Sequence, residues 1–170
     1  MSFRHWLLVG LVALSGSGCA GYKLGPVNGQ AAGAKSVQIN PFANTTLQPR
    51  LGDEVTAQLR KQLQRDGTFH LASHDDGDIV VSGSVIRYYR QGISLSSSDT
   101  LTVHDYRLEV RAQVTARERG SGKVILDQPV SGFTLMRVTS DLTSDERQAM
   151  PLLAADLAKN VTALLAEGGW

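Results

Sequence analysis

A long stretch of strict alternation constrains the fold of this chain more than any other feature. In residues 106–117, the apolar set is Tyr106, Leu108, Val110, Ala112, Val114 and Ala116, and the polar set is Arg107, Glu109, Arg111, Gln113, Thr115 and Arg117. Because successive side chains of a strand point to opposite faces, each set occupies one face. The sequence therefore predicts a long strand in a sheet with one buried face and one polar face.

Other segments predict further strands around this one. Residues 36–40 and 68–73 are short strand candidates, and residues 78–89 form a longer one that is rich in β-branched and aromatic side chains. Residues 119–123 form a hairpin connection, which leads into a return strand over 124–138. In this last strand, Pro129 and Gly132 predict a bulge or a sheet edge.

Two amphipathic helices are predicted, one between the first two strand candidates and one after the last strand. Thr45 or Thr46 is the expected cap of the first helix, and Gly67 is its expected end. Thr143 and Glu146 fit a capping box at the start of the second helix, in which Pro151 predicts a kink or a fresh helix start. The stripes are Leu51, Val55, Leu59 and Leu63 in the first helix and Leu153, Leu157, Val161 and Leu164 in the second.

The order β-α-β-β-β-β-α predicts an α+β fold. We expect two amphipathic helices on one face of a mostly antiparallel four- to five-stranded sheet, which is a two-layer sandwich. The other sheet face then stays exposed and carries arginines, which indicates a binding partner.

The N-terminus predicts export and a lipid anchor. Residues 1–18 combine a basic start, a short apolar run and small residues, as a lipoprotein signal peptide does. Cys19, the chain's single cysteine, directly follows and is the expected site of lipid attachment, although an ordinary secretory signal with an incidental thiol is the alternative. Residues 19–34 are then the acylated N-terminus and a flexible tether, 35–167 a single domain, and 168–170 a C-terminal tail.

The charge balance argues against nucleic acid as a partner. Removal of residues 1–18 takes away one basic residue, Arg4, and leaves 16 basic and 16 acidic residues. A nucleic-acid-binding domain normally shows a basic excess or stripe.

Catalytic and metal-binding patterns are weak. Residues 74–78 place a histidine beside three acids without EF-hand spacing, and acidic turn residues are the simpler interpretation. The serines of residues 94–98 lie near His104 and Asp105, but no nucleophile-elbow motif accompanies them. We therefore expect no enzyme activity, no metal and no cofactor, while a periplasmic hydrolase remains an alternative if the serine-rich loop meets His104.

Five basic residues are candidate contacts for a phosphorylated glycolipid or a protein partner: Arg87, Arg90, Arg107, Arg111 and Lys123. Arginine binds phosphate and carboxylate groups through two parallel hydrogen bonds. A solvated sheet face balanced by nearby acids is the alternative.

The ordered motifs of the mature chain resemble the LPS-assembly lipoprotein family, LptE. They are residues 19–22 (CAGY), 40–46 (NPFANTT), 78–83 (DIVVSG), 105–108 (DYRL), 122–125 (GKVI) and 156–158 (DLA). The resemblance implies a non-catalytic lipoprotein of the outer membrane, anchored at its periplasmic face. It also implies a body that plugs and helps assemble a large LptD-type β-barrel and binds lipopolysaccharide on its way to the cell surface. Curli-secretion and peptidoglycan-synthase-activator lipoproteins share a similar opening and are the rival families.

Overall fold

The predicted alternating strand is the middle of a three-stranded antiparallel meander. The computed structural model describes residues 33–95, 103–139 and 141–168. Strand β4 (Ile79–Leu95) pairs with β5 (Val103–Glu118), which pairs with β6 (Val124–Arg137), and both pairings are antiparallel. The apolar side chains of β5 from Leu108 to Ala116 are fully buried. The prediction from alternation is confirmed.

Three short strands, paired in parallel, make the sheet mixed, although its long pairings are antiparallel as predicted. They are β1 (Ser36–Ile39), β2 (Ala43–Asn44) and β3 (His70–Leu71). The sheet has six strands in the order β3-β1-β4-β5-β6, with β2 paired to β4, and every pairing of the short strands is parallel. Helix α1 (Leu51–Asp66) connects β1 and β2 to β3, and a helical crossover is how adjacent parallel strands are joined. The predicted number of strands and their direction are corrected in this respect.

Both helices pack on the same face of the sheet. Helix α2 (Leu142–Glu167) follows β6 and lies beside α1. Their buried stripes join the apolar face of the meander in one hydrophobic core. The predicted stripes are confirmed, except that Leu165 is fully buried where Leu164 is only half-buried. The result is an α+β arrangement with two helices on one side of the sheet.

The start of α1 differs from its predicted cap. The helix begins at Leu51, and Arg50 before it has a left-handed backbone (φ 60°) and forms no side-chain cap. The Thr45 hydroxyl instead donates to the Val85 carbonyl at 2.9 Å, which ties the loop to β4. The predicted end is confirmed, because Gly67 has φ 73° and donates its N–H to the Leu63 carbonyl.

The start of α2 also differs from prediction. Its cap is Asp141, whose carboxylate accepts a hydrogen bond from the Ser144 N–H at 2.9 Å, and not Thr143. Glu146 therefore takes no part in a capping box and is buried instead. Pro151 lies inside one continuous helix, so the predicted fresh start is wrong.

Helix α2 lies directly against β6 at Gly132. A Cβ atom added to Gly132 would be only 2.4 Å from the backbone nitrogen of Leu157. Strand β6 forms one end of the sheet, as Pro129 and Gly132 predicted. The register shift of the β5–β6 pairing lies between Ala116 and Arg117 on β5. A residue without a side chain is needed here because the helix and strand backbones approach so closely.

Helix α2 is also apolar enough, by length and composition, to cross a membrane, with a mean hydropathy of 1.3 over its most apolar stretch. Half of that stretch is buried inside the domain, which accounts for its apolar character. The predicted signal peptide, Cys19 and nearly all of the tether lie outside the described residues.

Candidate functional site

The sheet face turned away from the helices, here called the outer face, is open along β5 and β6 among the described residues, whereas at β1 the turn of residues 74–78 and Arg119 bury Gln38. Register on β5 places Arg107, Glu109 and Arg111 on this face, because Leu108 and Val110 between them are buried against the helices. The polar set of the alternating strand thus lies where the sequence predicted it.

The half of the outer face far from β1 carries a mixed cationic and apolar surface, here called the outer patch. Its members are Arg87, Tyr89, Arg107, Arg111, Phe133 and Leu135. Cross-strand register sets them in rows: Tyr89 and Phe133 flank Glu109, and Leu135 is opposite Arg107. The patch therefore combines three guanidinium groups with the Glu109 carboxylate, and the Asp105 carboxylate, which is paired with Arg137, lies two residues beyond Arg107.

The apolar members of the outer patch are strongly exposed. Tyr89, Phe133 and Leu135 keep 53%, 45% and 61% of their surface accessible. The Arg107 guanidinium carbon lies 3.8 Å from the centre of the Phe133 ring, a cation–π contact that holds this arginine over the sheet. Exposed aromatic and arginine side chains side by side are typical of binding surfaces. Sequence reasoning missed these three apolar residues, because apolar side chains on an alternating strand are assigned by pattern to the buried face.

The structure brings together three of the five predicted basic contacts. Arg87 and Arg111 are register partners on the outer face, and Arg107 lies on the same face four residues before Arg111 on β5, with Glu109 between them. Lys123 does not join them, because it lies beyond Glu118 in the hairpin connection, about 37 Å along the strand from Arg107.

Arg90 faces the helices rather than the outer face. A bulge between Val85 and Arg87 shifts the alternation of β4, and Arg90 then pairs with the core-facing Leu108. Its guanidinium donates to the Glu146 carboxylate at 2.5 Å and lies 5.7 Å from the centre of the Tyr106 ring. Arg90 therefore joins α2 to the sheet.

Glu146 is the centre of a small polar network within this junction. Besides its ion pair with Arg90, its carboxylate accepts a hydrogen bond from the Tyr88 hydroxyl. Burial, and then the hydrogen bond to this carboxylate, raise the pKa of the Tyr88 hydroxyl above its usual range. The network satisfies a carboxylate whose side chain is only 11% exposed.

The described members of the serine, histidine and aspartate cluster, Ser94, His104 and Asp105, do not have hydrolase geometry. The Ser94 hydroxyl donates directly to the Asp105 carboxylate at 2.5 Å, and Arg137 donates to the same group at 2.8 Å. His104 Nδ1 is 3.9 Å from that carboxylate and receives no hydrogen bond from Ser94 among the described residues. These contacts lower the pKa of Asp105 to about 2, and the Arg137 bond is the main cause. Ser96, Ser97 and Ser98 lie outside the described residues.

The acidic turn of residues 74–78 has structural partners. Asp78 accepts hydrogen bonds from the Ser36 N–H at 2.8 Å and the Ser36 hydroxyl at 2.7 Å, which lower its pKa. Asp75 accepts a bond from the Gln38 amide at 3.0 Å. Within the described part of the chain, histidine, cysteine and acidic side chains form no group that could hold a metal ion.

A family model described as LptE, lipopolysaccharide-assembly, matches residues 34–165. This match spans more than half of the chain and nearly the whole described domain. The chain belongs to the LptE lipopolysaccharide-assembly family. The resemblance found in the sequence motifs is thereby confirmed, and the protein is placed in a family of non-enzymatic envelope lipoproteins. No curated protein matches the chain in sequence.

Solved structures share the fold of this LptE-family chain at low sequence identity. Protein XCC0632 from Xanthomonas campestris has a TM-score of 0.59 at 9% identity, covering 86% of this chain and 93% of its own. CT253 from Chlamydia trachomatis has a TM-score of 0.58 at 11% identity, with coverage of 79% and 97%. A minor lipoprotein from Acinetobacter baumannii has a TM-score of 0.50 at 14% identity, with coverage of 78% and 92%. At such identities the likeness concerns the fold alone.

Proposed function

We propose that this protein is an outer-membrane lipoprotein, anchored through Cys19 at the periplasmic face, that plugs and helps assemble an LptD-type β-barrel. In this role its outer face binds lipopolysaccharide during delivery to the cell surface. Membership of the lipopolysaccharide-assembly family supports the proposal.

The observation that carries the proposal is the composition of the outer patch. Lipopolysaccharide joins phosphate groups to acyl chains, so its binding site needs cationic and apolar groups within a short distance of each other. Arg87, Arg107 and Arg111 supply guanidinium groups that suit phosphate, and Phe133 and Leu135 supply exposed apolar area beside them. We propose these five residues as contacts and leave Arg90 and Lys123 out, because neither lies in the patch.

Charge reversal tests this assignment. We expect the double variant Arg107→Glu/Arg111→Glu to bind purified lipopolysaccharide at least about tenfold more weakly, because two phosphate-binding groups become repulsive. The matched control is Lys61→Glu/Arg65→Glu on α1, which makes the same charge change on the helix side of the domain. Equal binding by both double variants and the parent would move the lipid contact off the outer patch.

The proposed barrel partner is tested separately. We expect the anchored protein, extracted from native membranes in mild detergent, to co-elute with an outer-membrane β-barrel in a fixed ratio. Co-elution with a peptidoglycan synthase instead would contradict the barrel assignment.

A further inference from the structure

The two long edges of the sheet differ in how they are protected. On β6, Pro129 offers no backbone N–H, and helix α2 binds the edge directly. The Asp156 carboxylate accepts a hydrogen bond from the Phe133 N–H at 2.9 Å, and the Asn160 amide donates to the Ser131 carbonyl at 2.8 Å. These side chains occupy positions that a further strand would need, so the β6 edge is closed to strand addition.

The opposite edge, along the second half of β4, has no such cover among the described residues. Strand β1 pairs with β4 as far as Val81, and β2 pairs as far as Val85. The last backbone bond on this side runs from the Thr45 N–H to the Val85 carbonyl at 3.0 Å. Register shifts after Val85 and after Gly92 bound a regular stretch, residues 87–92, which is here called the open edge.

The backbone direction along the open edge follows from the β6 contact. The Phe133 N–H points away from β5. Its register partner on β5, Glu109, therefore points its own N–H and C=O away from β6 and towards β4, where Tyr89 is its register partner. Backbone groups of successive residues alternate in direction, so Tyr88 and Arg90 direct their N–H and C=O groups outward. A regular row of unpaired backbone donors and acceptors is matched by another polypeptide backbone.

The positive charge beside the open edge favours a polypeptide segment that carries carboxylates. The Arg87 side chain is exposed and forms no hydrogen bond or ion pair with any described residue. A second copy of this chain, paired edge to edge, would place two positively charged segments side by side, because residues 87–92 contain two arginines and no acid. A strand that carries carboxylates would instead place one opposite Arg87. A groove of about 450 Å³, lined by Thr45, Leu47 and Ile86 among others, adjoins Arg87 and gives the end of such a strand room.

We propose that the open edge binds an extended, carboxylate-bearing segment of a partner protein by strand addition. The segment lies along residues 87–92, exchanges backbone hydrogen bonds with Tyr88 and Arg90, and sets a carboxylate opposite Arg87. Tyr89 on the outer face supplies an aromatic cross-strand neighbour for it. Strand addition shares Arg87 and Tyr89 with the outer patch, but it does not require lipopolysaccharide binding, because its backbone hydrogen bonds are formed by Tyr88 and Arg90 at the edge of the sheet.

The first test uses a synthetic probe with the full chain in detergent micelles. The probe is a fluorescent eight-residue peptide of alternating valine and glutamate, whose binding is followed by anisotropy. Two further peptides carry N-methyl groups on all valines or on all glutamates, so each loses the backbone donors of one side. Strand addition uses one side of the backbone, so we expect one methylated peptide to lose binding and the other to keep it. Equal binding by both methylated peptides, or no binding by the parent peptide, would overturn the proposal.

The second test locates the bound peptide and its charge preference. Residue-resolved hydrogen exchange should show slower exchange at the Tyr88 and Arg90 amides in the complex, with no change along β6. Arg87→Glu should weaken binding about tenfold and favour a peptide with lysine in place of glutamate. Protection on β6, or an unchanged preference in Arg87→Glu, contradicts the assignment. If the chain self-associates without peptide and the Tyr88 and Arg90 amides are then protected, the open edge binds a second copy, and the proposal of an acidic partner segment is overturned.

Discussion

Substitution of Gly132 by alanine tests the contact between α2 and β6 most sharply. The new Cβ would lie 2.4 Å from the Leu157 nitrogen and 2.7 Å from its Cα, and both are backbone atoms that cannot rotate away. An ordinary contact is at least 3.4 Å, so the helix must move by about 1 Å. That shift loosens core packing and stretches the Asp156 and Asn160 bonds to the β6 edge. We expect the free energy of unfolding to fall by about 2–4 kcal/mol.

Urea titration followed by circular dichroism measures this loss, and thermal melting should show a Tm lower by about 6–12 °C. The matched control is Gly120→Ala in the β5–β6 connection, where an added Cβ meets nothing within 4 Å. The control should change stability by less than about 0.5 kcal/mol. If Gly132→Ala proved as stable as Gly120→Ala, the direct backbone contact between helix and strand would be refuted.

Two more predictions concern charged groups. Glu146→Ala should lower the free energy of unfolding by about 1–2 kcal/mol, because it leaves the partly exposed Arg90 without its ion-pair partner. The double variant Glu146→Ala/Arg90→Met should lose less stability than the two single variants summed. A double-mutant cycle measured by denaturation checks this, and full additivity would contradict it. The depressed pKa of Asp105 favours the folded state above the unfolded pKa of about 3.9, and this contribution disappears as pH falls towards 2. Carboxyl NMR titration should therefore give a midpoint near 2 for Asp105, raised by Arg137→Ala, and an equal midpoint in both proteins would contradict the role of Arg137.

The sequence predicted the elements in which a single face decides burial. The alternation on β5 and the four-residue spacing in α1 both arise from one-sided packing, and both stripes are buried as expected. Gly67 also ended α1 as predicted, since a left-handed backbone suits glycine.

The sequence did not predict features that depend on neighbours distant along the chain. The bulge after Val85 turns Arg90 towards Glu146, and no local pattern announces it. Glu146 fitted a capping box by spacing, but its ion pair comes from a residue 56 positions away. The parallel pairing of β1 and β2 with β4 likewise depends on the crossover made by α1.

The candidate site was predicted only in part for the same reason. Alternation placed Arg107 and Arg111 on one face, because both lie on the same regular strand. Their neighbours Phe133 and Leu135 come from β6 and meet them through register, which the sequence of β5 does not specify.

Photocrosslinking in living cells tests the central claim, that the outer face meets lipopolysaccharide. A photoreactive residue at Ser131, the exposed register partner of Arg111 on the outer face, is compared with one at Ala163, exposed on α2. The account predicts a lipopolysaccharide adduct at position 131 and little or none at position 163. Adducts at position 163 alone would contradict it.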